Sequence, residues 1–240
     1  MKHPVPARPE VGSRDGLAYA LFTPDETPTA GVVICHGAGS AKESHFDFGR
    51  AARALGLAAL AYDARGHGAS EGALGAGAWH DALAMCDVLR EATGAPEIGL
   101  RGSSMGGFTA IGAASLSGGA VAAVVAICPA TEDGLLRGLR AGRLDGFAAD
   151  REAIEPWLES VSIHDAAAAL APGTALMLMH AKGDEQVPYT VSEELHAAAG
   201  DPKRLLLVPG GHHRSLQHDM EMQAASLRFI QDAARRRART

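Results

Sequence analysis

A serine framed by glycines gives the sequence its strongest indication of chemistry. The segment Gly102-Ser103-Ser104-Met105-Gly106 matches the pattern G-x-S-x-G and stands where a strand-like apolar run gives way to a helical one. A serine on such a sharp turn presents its hydroxyl away from the backbone, and the flanking glycines are needed because a Cβ would collide with the tight turn. We therefore expect Ser104 to be a nucleophile; the alternative is a chance match in a glycine-rich turn.

Two later segments supply the other residue types that a nucleophilic serine needs. Asp184 follows a strand-like run, and its carboxylate could hold an imidazole in one tautomer, although Glu185 competes for this role and an aspartate after Gly183 is also ordinary turn chemistry. His212 and His213 follow the last apolar run, and either could be the base that takes the serine proton. Serine, acid and histidine in this order along the chain form one of the known arrangements of a catalytic triad.

Backbone amides near Ser104 could stabilise the negative charge that develops on an acyl oxygen. The helix predicted to begin at Met105 directs its free N–H groups and the positive end of its dipole toward that charge. The glycine-bracketed segment His36-Gly37-Ala38-Gly39 follows an earlier strand and could supply a second donor from Ala38. The sequence therefore predicts an oxyanion hole built from Ala38 and Met105.

Short apolar runs alternate with segments of helical period along most of the chain. This alternation is typical of strands joined by crossover helices and predicts an α/β fold, with a central mostly parallel sheet of about seven or eight strands flanked by helices. A helix rich in small residues is predicted at 105–116, and a closing helix is marked by Leu216, Met220, Leu227, Ile230 and Ala234. The predicted strands are 17–22, 31–35, 57–62, 98–101, 121–127, 175–179 and 205–208.

Residues 131–172 interrupt the alternation. This segment contains helix-prone pieces with scattered large apolar residues and no strand-like run. Its length of about forty residues is short for an independent domain, which normally needs at least about 50 residues. We therefore predict a single domain over residues 1–240 that carries a small helical cap insertion at 131–172.

Composition and charge exclude several classes of protein. The formal net charge of -6 without a clustered basic face argues against nucleic-acid binding. The N-terminus lacks a signal-peptide pattern and no run reaches the roughly 18 apolar residues of a membrane span, so we expect a cytoplasmic protein away from membranes. Cys35, Cys86 and Cys128 are odd in number and far apart, and are expected to be reduced core residues. No spacing typical of metal ligands is present, so we expect neither metal nor cofactor.

With these motifs in place, the chain resembles the α/β-hydrolase superfamily over nearly its whole length, in particular the small-cap esterases and acyl-aminoacyl peptidases. The stretch from Asp63 to Gly72 is similar to the family's D-x-R-G-x-G-x-S-x-G segment. His180 to Pro188 resembles its H-G-x-x-D-x-x-V-P loop, departing at Ala181, and places Asp184 at the acid's position. The segment 208–215 resembles its P-G-x-x-H loop and places the base at His213, whereas an alignment shifted by one residue would place it at His212.

This resemblance implies a serine hydrolase that cleaves a carboxylic ester of a small molecule through an acyl-enzyme. Thioesterase, acyl-aminoacyl peptidase and acyltransferase activities would use the same triad, and the sequence does not choose among them. A non-catalytic ligand-binding protein is a less favoured reading because every triad position is filled. The sequence leaves the natural substrate and the oligomeric state open. His36, His67 and His180 recur in family motifs with scaffolding roles, and His45 and His218 are expected at the surface.

Overall fold

The computed structural model describes residues 8–144 and 146–239 and is built on one eight-stranded sheet, ordered β1-β2-β4-β3-β5-β6-β7-β8. β1 pairs antiparallel with β2 and β2 antiparallel with β4, whereas every later pairing is parallel. The predicted mostly parallel sheet of seven or eight strands is therefore confirmed. The strands are β1 (Glu10–Arg14), β2 (Leu17–Phe22), β3 (Ala30–Cys35), β4 (Leu57–Tyr62), β5 (Ile98–Ser103), β6 (Val121–Ile127), β7 (Ala175–Ala181) and β8 (Lys203–Val208).

Helices cover both faces of this sheet and bury two separate apolar layers. Strands β3 to β7 are buried along their whole length because both of their faces are covered, as expected for parallel strands. α1 and α8 lie over one layer, and α2 and α3 lie over the other. The helices are α1 (Phe46–Ala54), α2 (Ala78–Thr93), α3 (Met105–Leu116), α4 (Glu132–Arg140), α5 (Arg151–Ser160), α6 (Ile163–Ala168), α7 (Thr190–Ala198) and α8 (Met220–Arg237).

The predicted cap segment contains α4, α5 and α6. α4 packs against α5, and both begin at side-chain caps, the Thr131 hydroxyl on Gly134 N–H and the Asp150 carboxylate on Ala153 N–H. α6 instead packs against α3 and α7, so it lies with the helices that cover the sheet. Within the predicted cap segment, α4 and α5 therefore form one packed pair, and α6 packs elsewhere.

The structure corrects several details of the sequence interpretation. β1 was not predicted, because its residues have no apolar pattern and most of them are exposed; only backbone pairing with β2 makes it a strand. Met220 is 83% exposed and does not belong to the buried face of α8. His45 was expected at the surface, yet it is buried, with its ring 6.1 Å from that of the exposed His218. In the described residues no helix combines the length and the apolar character that crossing a bilayer requires.

Candidate active site

Ser104 lies on a strained turn between β5 and α3. Its backbone has φ 53° and ψ -119°, a region that non-glycine residues rarely adopt and that costs of order 1–3 kcal/mol. The turn is held by Ser104 N–H donating to Ile127 O at 2.9 Å, and by Ser104 O accepting from Phe108 N–H and Ala130 N–H at 3.1 Å each. Strain fixed in this way at the carboxyl end of a strand is typical of a side chain held for chemistry.

The glycines around Ser104 are required by close approach of the backbone. A Cβ on Gly102 would overlap Gly106 O, and a Cβ on Gly106 would overlap Cys35 O. Gly37 packs against the turn as well, because a Cβ there would lie 3.6 Å from Ser104 Cβ. The loop after β3 is thereby packed against the start of α3.

The two predicted oxyanion donors are both available. Met105 is the first residue of α3, and Ala38 lies in the loop after β3, adjacent to Gly37. Neither the Met105 N–H nor the Ala38 N–H donates to another group in the part of the chain that the structure describes. Two such N–H groups beside the Ser104 turn could bind an anionic oxygen.

Asp184 lies in the loop after β7, with its carboxylate inaccessible to solvent. One oxygen, Oδ1, accepts from Gln186 N–H at 2.8 Å and Val187 N–H at 2.9 Å, while Oδ2 lies 2.7 Å from His213 Nδ1 and 3.3 Å from His180 Nε2. Burial alone would raise the pKa of Asp184, but the hydrogen bonds from His180, His213 and the two amides hold it well below its ordinary value. Asp184 is therefore a buried anion.

His213, rather than His212, is the histidine that the structure brings to Asp184. Because Nδ1–H of His213 donates to the carboxylate, Nε2 is the ring atom left to accept a proton. His213 N–H donates to Glu185 Oε2 at 3.1 Å, so the hydrogen bond of Glu185 is to the backbone of His213. His212 is exposed and accepts from Arg214 N–H at 3.3 Å. Among the described residues, the Ser104 hydroxyl makes no hydrogen bond to His213.

The loop after β4 clamps the loop that carries Ala38. His36 Nε2 accepts from Ala64 N–H at 2.9 Å, and its buried ring has a pKa lowered by burial to about 4, so His36 is neutral. Asp63 is fully buried at the end of β4, where its carboxylate accepts from Lys42 N–H at 2.7 Å, Lys42 Nζ at 2.6 Å and Ala69 N–H at 2.8 Å. These contacts fix both loops at one edge of the site.

Cys128 approaches Asp184 and His213 from the end of β6. Its backbone has φ 44°, and its Sγ, an Asp184 carboxylate oxygen and a ring nitrogen of His213 all lie within 4.8 Å of one another. These residue types could bind a metal ion; burial raises the pKa of the uncoordinated Cys128 thiol to about 12. The contact therefore places a neutral thiol beside the carboxylate.

A second buried network joins β5 to the loop that carries His213. β5 leads into the turn at Ser104, which is called the elbow below. Ser103 Oγ donates to Gln217 Oε1 at 2.6 Å, and Arg101 Nη2 donates to Gln217 O at 2.9 Å. Arg101 is 1% exposed and stacks on Phe48 with its Cζ 4.1 Å from the ring centroid, and burial lowers its pKa to about 9. Gln217 thus ties the chain segment after His213 to β5.

An apolar cavity, partly open to solvent, lies between the cap helices and α3. Met105, next to Ser104, forms part of its wall, and Trp157 and Phe108 meet there edge to face with centroids 5.8 Å apart. No described lining residue carries a charge. The lining residues are Leu74, Ala78, Met105, Phe108, Thr109, Leu135, Leu139, Leu144, Phe147, Ile154, Trp157 and Leu158.

Sequence reasoning did not find all residues that build this site. The ion pair of Lys42 and Asp63, the approach of Cys128 to Asp184, and the role of Gln217 all depend on contacts between distant segments. Asp63 did stand inside a recognised motif, so a partner for its charge could have been sought. Nothing in the sequence around Cys128 or Gln217 marks them.

Comparison with known proteins places the chain in a family. Residues 26–146 match the family model described as serine aminopeptidase, S33. The uncharacterized protein Rv2307c of Mycobacterium tuberculosis is 30% identical over 247 residues, covering 93% of this chain and 79% of that protein. The uncharacterized protein YfhR of Escherichia coli K12 is 42% identical over 55 residues, and this match spans only 19% of its length.

Solved structures share the fold at low sequence identity. A thermostable carboxyl esterase from Bacillus coagulans has a TM-score of 0.75 at 15% identity, with 95% of this chain and 98% of that chain covered. Est1E from Butyrivibrio proteoclasticus, bound to ferulic acid, has a TM-score of 0.72 at 19% identity, with 93% and 96% covered. The sheet order, the family match and these folds lead to one conclusion: the chain belongs to the S33 serine aminopeptidase family of the α/β-hydrolase superfamily of serine hydrolases.

Proposed function

We propose that this hydrolase is a carboxylesterase that cleaves uncharged esters with apolar acyl groups, using Ser104 as nucleophile, His213 as base and Asp184 as the acid that orients it. The observation that carries the proposal is that the loops after β5, β7 and β8 all leave the same carboxyl edge of the parallel sheet. One loop holds Ser104 in a strained conformation, and the other two hold the buried pair of Asp184 and His213 at 2.7 Å.

In the proposed reaction, His213 Nε2 takes the hydroxyl proton as Ser104 Oγ attacks the ester carbonyl carbon. The oxyanion of the tetrahedral intermediate accepts from the N–H groups of Ala38 and Met105. When the intermediate collapses, the C–O bond to the alcohol breaks, and the imidazolium returns the proton to the departing alkoxide. A water then attacks the acyl-enzyme by the same route and releases the carboxylic acid and Ser104.

The anionic Asp184 is suited to this cycle. Its lowered pKa keeps it charged while His213 alternates between imidazole and imidazolium, and the hydrogen bond to Nδ1 stabilises the charged ring. His180 supports the carboxylate from the other side, because its Nε2 lies near the acceptors Val187 O and Asp184 Oδ2 and must therefore carry the proton.

The cavity favours an ester over an aminopeptidase substrate. A peptide with a free α-amino group needs a carboxylate or several carbonyl groups to replace the water around its charge. Thr109 supplies the only hydroxyl among the described lining residues, and the rest are apolar or aromatic. This apolar lining suits an uncharged, apolar acyl group.

The names of some structural neighbours support the proposal. They include a carboxyl esterase and a monoacylglycerol lipase from Paleococcus ferrophilus, the latter with a TM-score of 0.69 at 20% identity, beside Est1E with ferulic acid bound. Thioester and acyl-aminoacyl substrates would use the same residues and remain alternatives, as does acyl transfer to an alcohol. A ligand-binding role without catalysis is disfavoured by the ready arrangement of acid and base.

Hydrolysis of p-nitrophenyl esters with acyl chains of about two to eight carbons tests the proposal. Ser104→Ala should abolish turnover, and His213→Ala should lower kcat by at least about 10³-fold because the attacking hydroxyl loses its base. His212→Ala is the matched control, since His212 is exposed and contacts neither Asp184 nor the elbow.

Three results would count against the assignment. If Ser104→Ala still turns over the ester, Ser104 is not the nucleophile. If His212→Ala and His213→Ala lose kcat equally, the assignment of His213 as the base is wrong. Wild-type hydrolysis of aminoacyl nitroanilides with no hydrolysis of any ester would instead favour the aminopeptidase alternative.

A further inference from the structure

His67 connects the loop that carries Ala38 to the rest of the site. Its Nε2 accepts from Gly39 N–H at 3.2 Å, and Gly39 directly follows Ala38. Its Nδ1 lies 3.1 Å from Arg65 O, a group that only accepts, so the proton must be on Nδ1 and the lone pair on Nε2. The ring is 4% exposed, and burial lowers the pKa of His67, which keeps this neutral tautomer.

The other face of His67 is covered by the cap segment. Phe147 stacks on the imidazole with ring centroids 4.0 Å apart and planes 22° apart, and the same Phe147 lines the apolar cavity. Residues 36–42, which include Ala38, are called the oxyanion loop below. Gly146 lies against this loop, because a Cβ on Gly146 would be 3.6 Å from Gly39 Cα. One aromatic ring thus separates the contents of the cavity from the histidine that holds Gly39.

The backbone around Phe147 is anchored to the loop after β4. Ala148 N–H donates to Gly66 O at 3.1 Å, Leu74 N–H donates to Ala148 O at 2.9 Å, and Asp150 N–H donates to Leu74 O at 2.9 Å. These bonds hold the main chain of residues 148–150 against residues 66 and 74. Movement of the Phe147 ring, rather than of the whole segment, is then the way in which a ligand in the cavity can act on His67.

We propose that His67 is a positioning residue that couples occupation of the apolar cavity to the geometry of the oxyanion hole. An acyl chain in the cavity packs on Phe147 and holds it against the imidazole, and the imidazole in turn holds the Gly39 N–H and orients the Ala38 N–H toward the oxyanion. A short acyl group leaves Phe147 free to move, and the Ala38 donor is then less well placed. This inference rests on the proposed esterase function.

The coupling predicts that acyl-chain length acts on kcat as well as on KM. Binding energy that only held the substrate would lower KM, whereas better placement of an oxyanion donor stabilises the transition state and raises kcat. Loss of one such donor costs about 10²- to 10³-fold in rate, so imperfect placement should cost about 10-fold. We expect the wild-type kcat to be about 10-fold higher for p-nitrophenyl hexanoate than for the acetate. This difference is smaller than the fall in rate when an oxyanion donor is lost completely.

Three variants separate the acceptor from the stacking contact. His67→Phe keeps an aromatic ring for Phe147 but has no acceptor for Gly39 N–H, and we expect kcat for the hexanoate to fall to about the acetate level with KM changed less than about 2-fold. His67→Gln restores an acceptor and should recover much of that loss. Phe147→Leu keeps the cavity apolar but removes the stacking, and should also make the two kcat values equal.

The outcomes distinguish this inference from the proposed function. If wild type turns over both esters but His67→Phe and Phe147→Leu keep the wild-type ratio of kcat values, the coupling is wrong while the esterase assignment stands. If wild type hydrolyses no ester, both fail. Equal losses in His67→Phe and His67→Gln, matched by equal losses of melting temperature, would indicate a purely structural role. Should neither His67 variant fold, the Phe147→Leu ratio decides alone.

Discussion

The loops after β4 and β7 each contain a buried carboxylate, and the two carboxylates have different partners. Asp63 binds the oxyanion loop through Lys42 N–H and the loop after β4 through Ala69 N–H, and its charge is balanced by the permanent cation of Lys42. Asp184 likewise accepts two backbone N–H groups, but its partners are the rings of His180 and His213.

The difference indicates two roles for the same residue type. A carboxylate paired with a lysine has its charge satisfied throughout, so it stabilises structure and has no capacity left for a charge that appears during a reaction. A carboxylate facing a neutral imidazole can stabilise the imidazolium when it forms. We therefore assign Asp63 to the fold and propose Asp184 for catalysis, and substitutions at the two positions should separate activity from stability.

The largest effect is expected on activity at Asp184. Asp184→Asn keeps an oxygen for the backbone amides, but it removes the charge and places an NH₂ donor opposite Nδ1–H of His213. The kcat for ester hydrolysis should therefore fall by about 10⁴-fold. Asp63→Asn is the matched control. The kcat of its folded fraction should change by less than about 10-fold, because the substitution can displace an oxyanion donor but does not remove one. Similar losses of kcat in the two variants would remove the distinction.

A smaller effect is expected on stability at the other carboxylate. Lys42→Met leaves the Asp63 carboxylate buried without its cation, and removing one partner of a buried pair costs about 3 kcal/mol of unfolding free energy. Urea unfolding measures this loss, with the exposed Lys182→Met as the control that should lie within about 0.5 kcal/mol of wild type. A loss at Lys42 no larger than that at Lys182 would show that the pair does not stabilise the fold.

The smallest effect concerns pH and the neutral His36 in the oxyanion loop. His36 has a folded pKa of about 4 against 6.5 unfolded, so between these values the unfolded chain binds the additional proton. Stability from this group is complete above pH 6.5 and falls as the pH decreases toward 4. Between pH 7.5 and pH 5, we expect His36→Gln to lose about 2 kcal/mol less unfolding free energy than wild type does.

The control for the pH prediction is His212→Gln. Its ring is exposed, so this variant should lose as much unfolding free energy as wild type between the two pH values. If His36→Gln follows the same pH dependence as His212→Gln, the ring of His36 does not stay neutral in the folded protein.

Much of the fold could be predicted from the sequence because its strands are covered on both faces. β4 and β6 consist of apolar residues throughout, and α3 begins directly after a recognisable serine turn, so the bounds of all three were predicted as observed. β1 could not be found, since it is an exposed edge strand held by backbone pairing. Burial of His45 was missed because its environment comes from β5 and the loop before α8.

The candidate site also contains some residues that the sequence could reveal and some contacts that only the fold shows. Ser104, Asp184 and the pair of His212 and His213 stand in local sequence motifs, which made them candidates from the sequence alone. The choice between His212 and His213 needed the fold, because adjacent residues in a loop point in different directions. The coupling between His67 and Phe147 also needed it, since 80 residues of chain separate two rings in contact.

The most direct test of the account is the position of covalent labelling by a fluorophosphonate. Only an activated serine reacts readily with this probe, and the adduct can be located by mass spectrometry of the peptide that contains the elbow. The account predicts phosphonylation at Ser104, slowed at least about 10³-fold by His213→Ala and unaffected by His212→Ala. Labelling of the adjacent Ser103, of a serine elsewhere, or of none at all would contradict it.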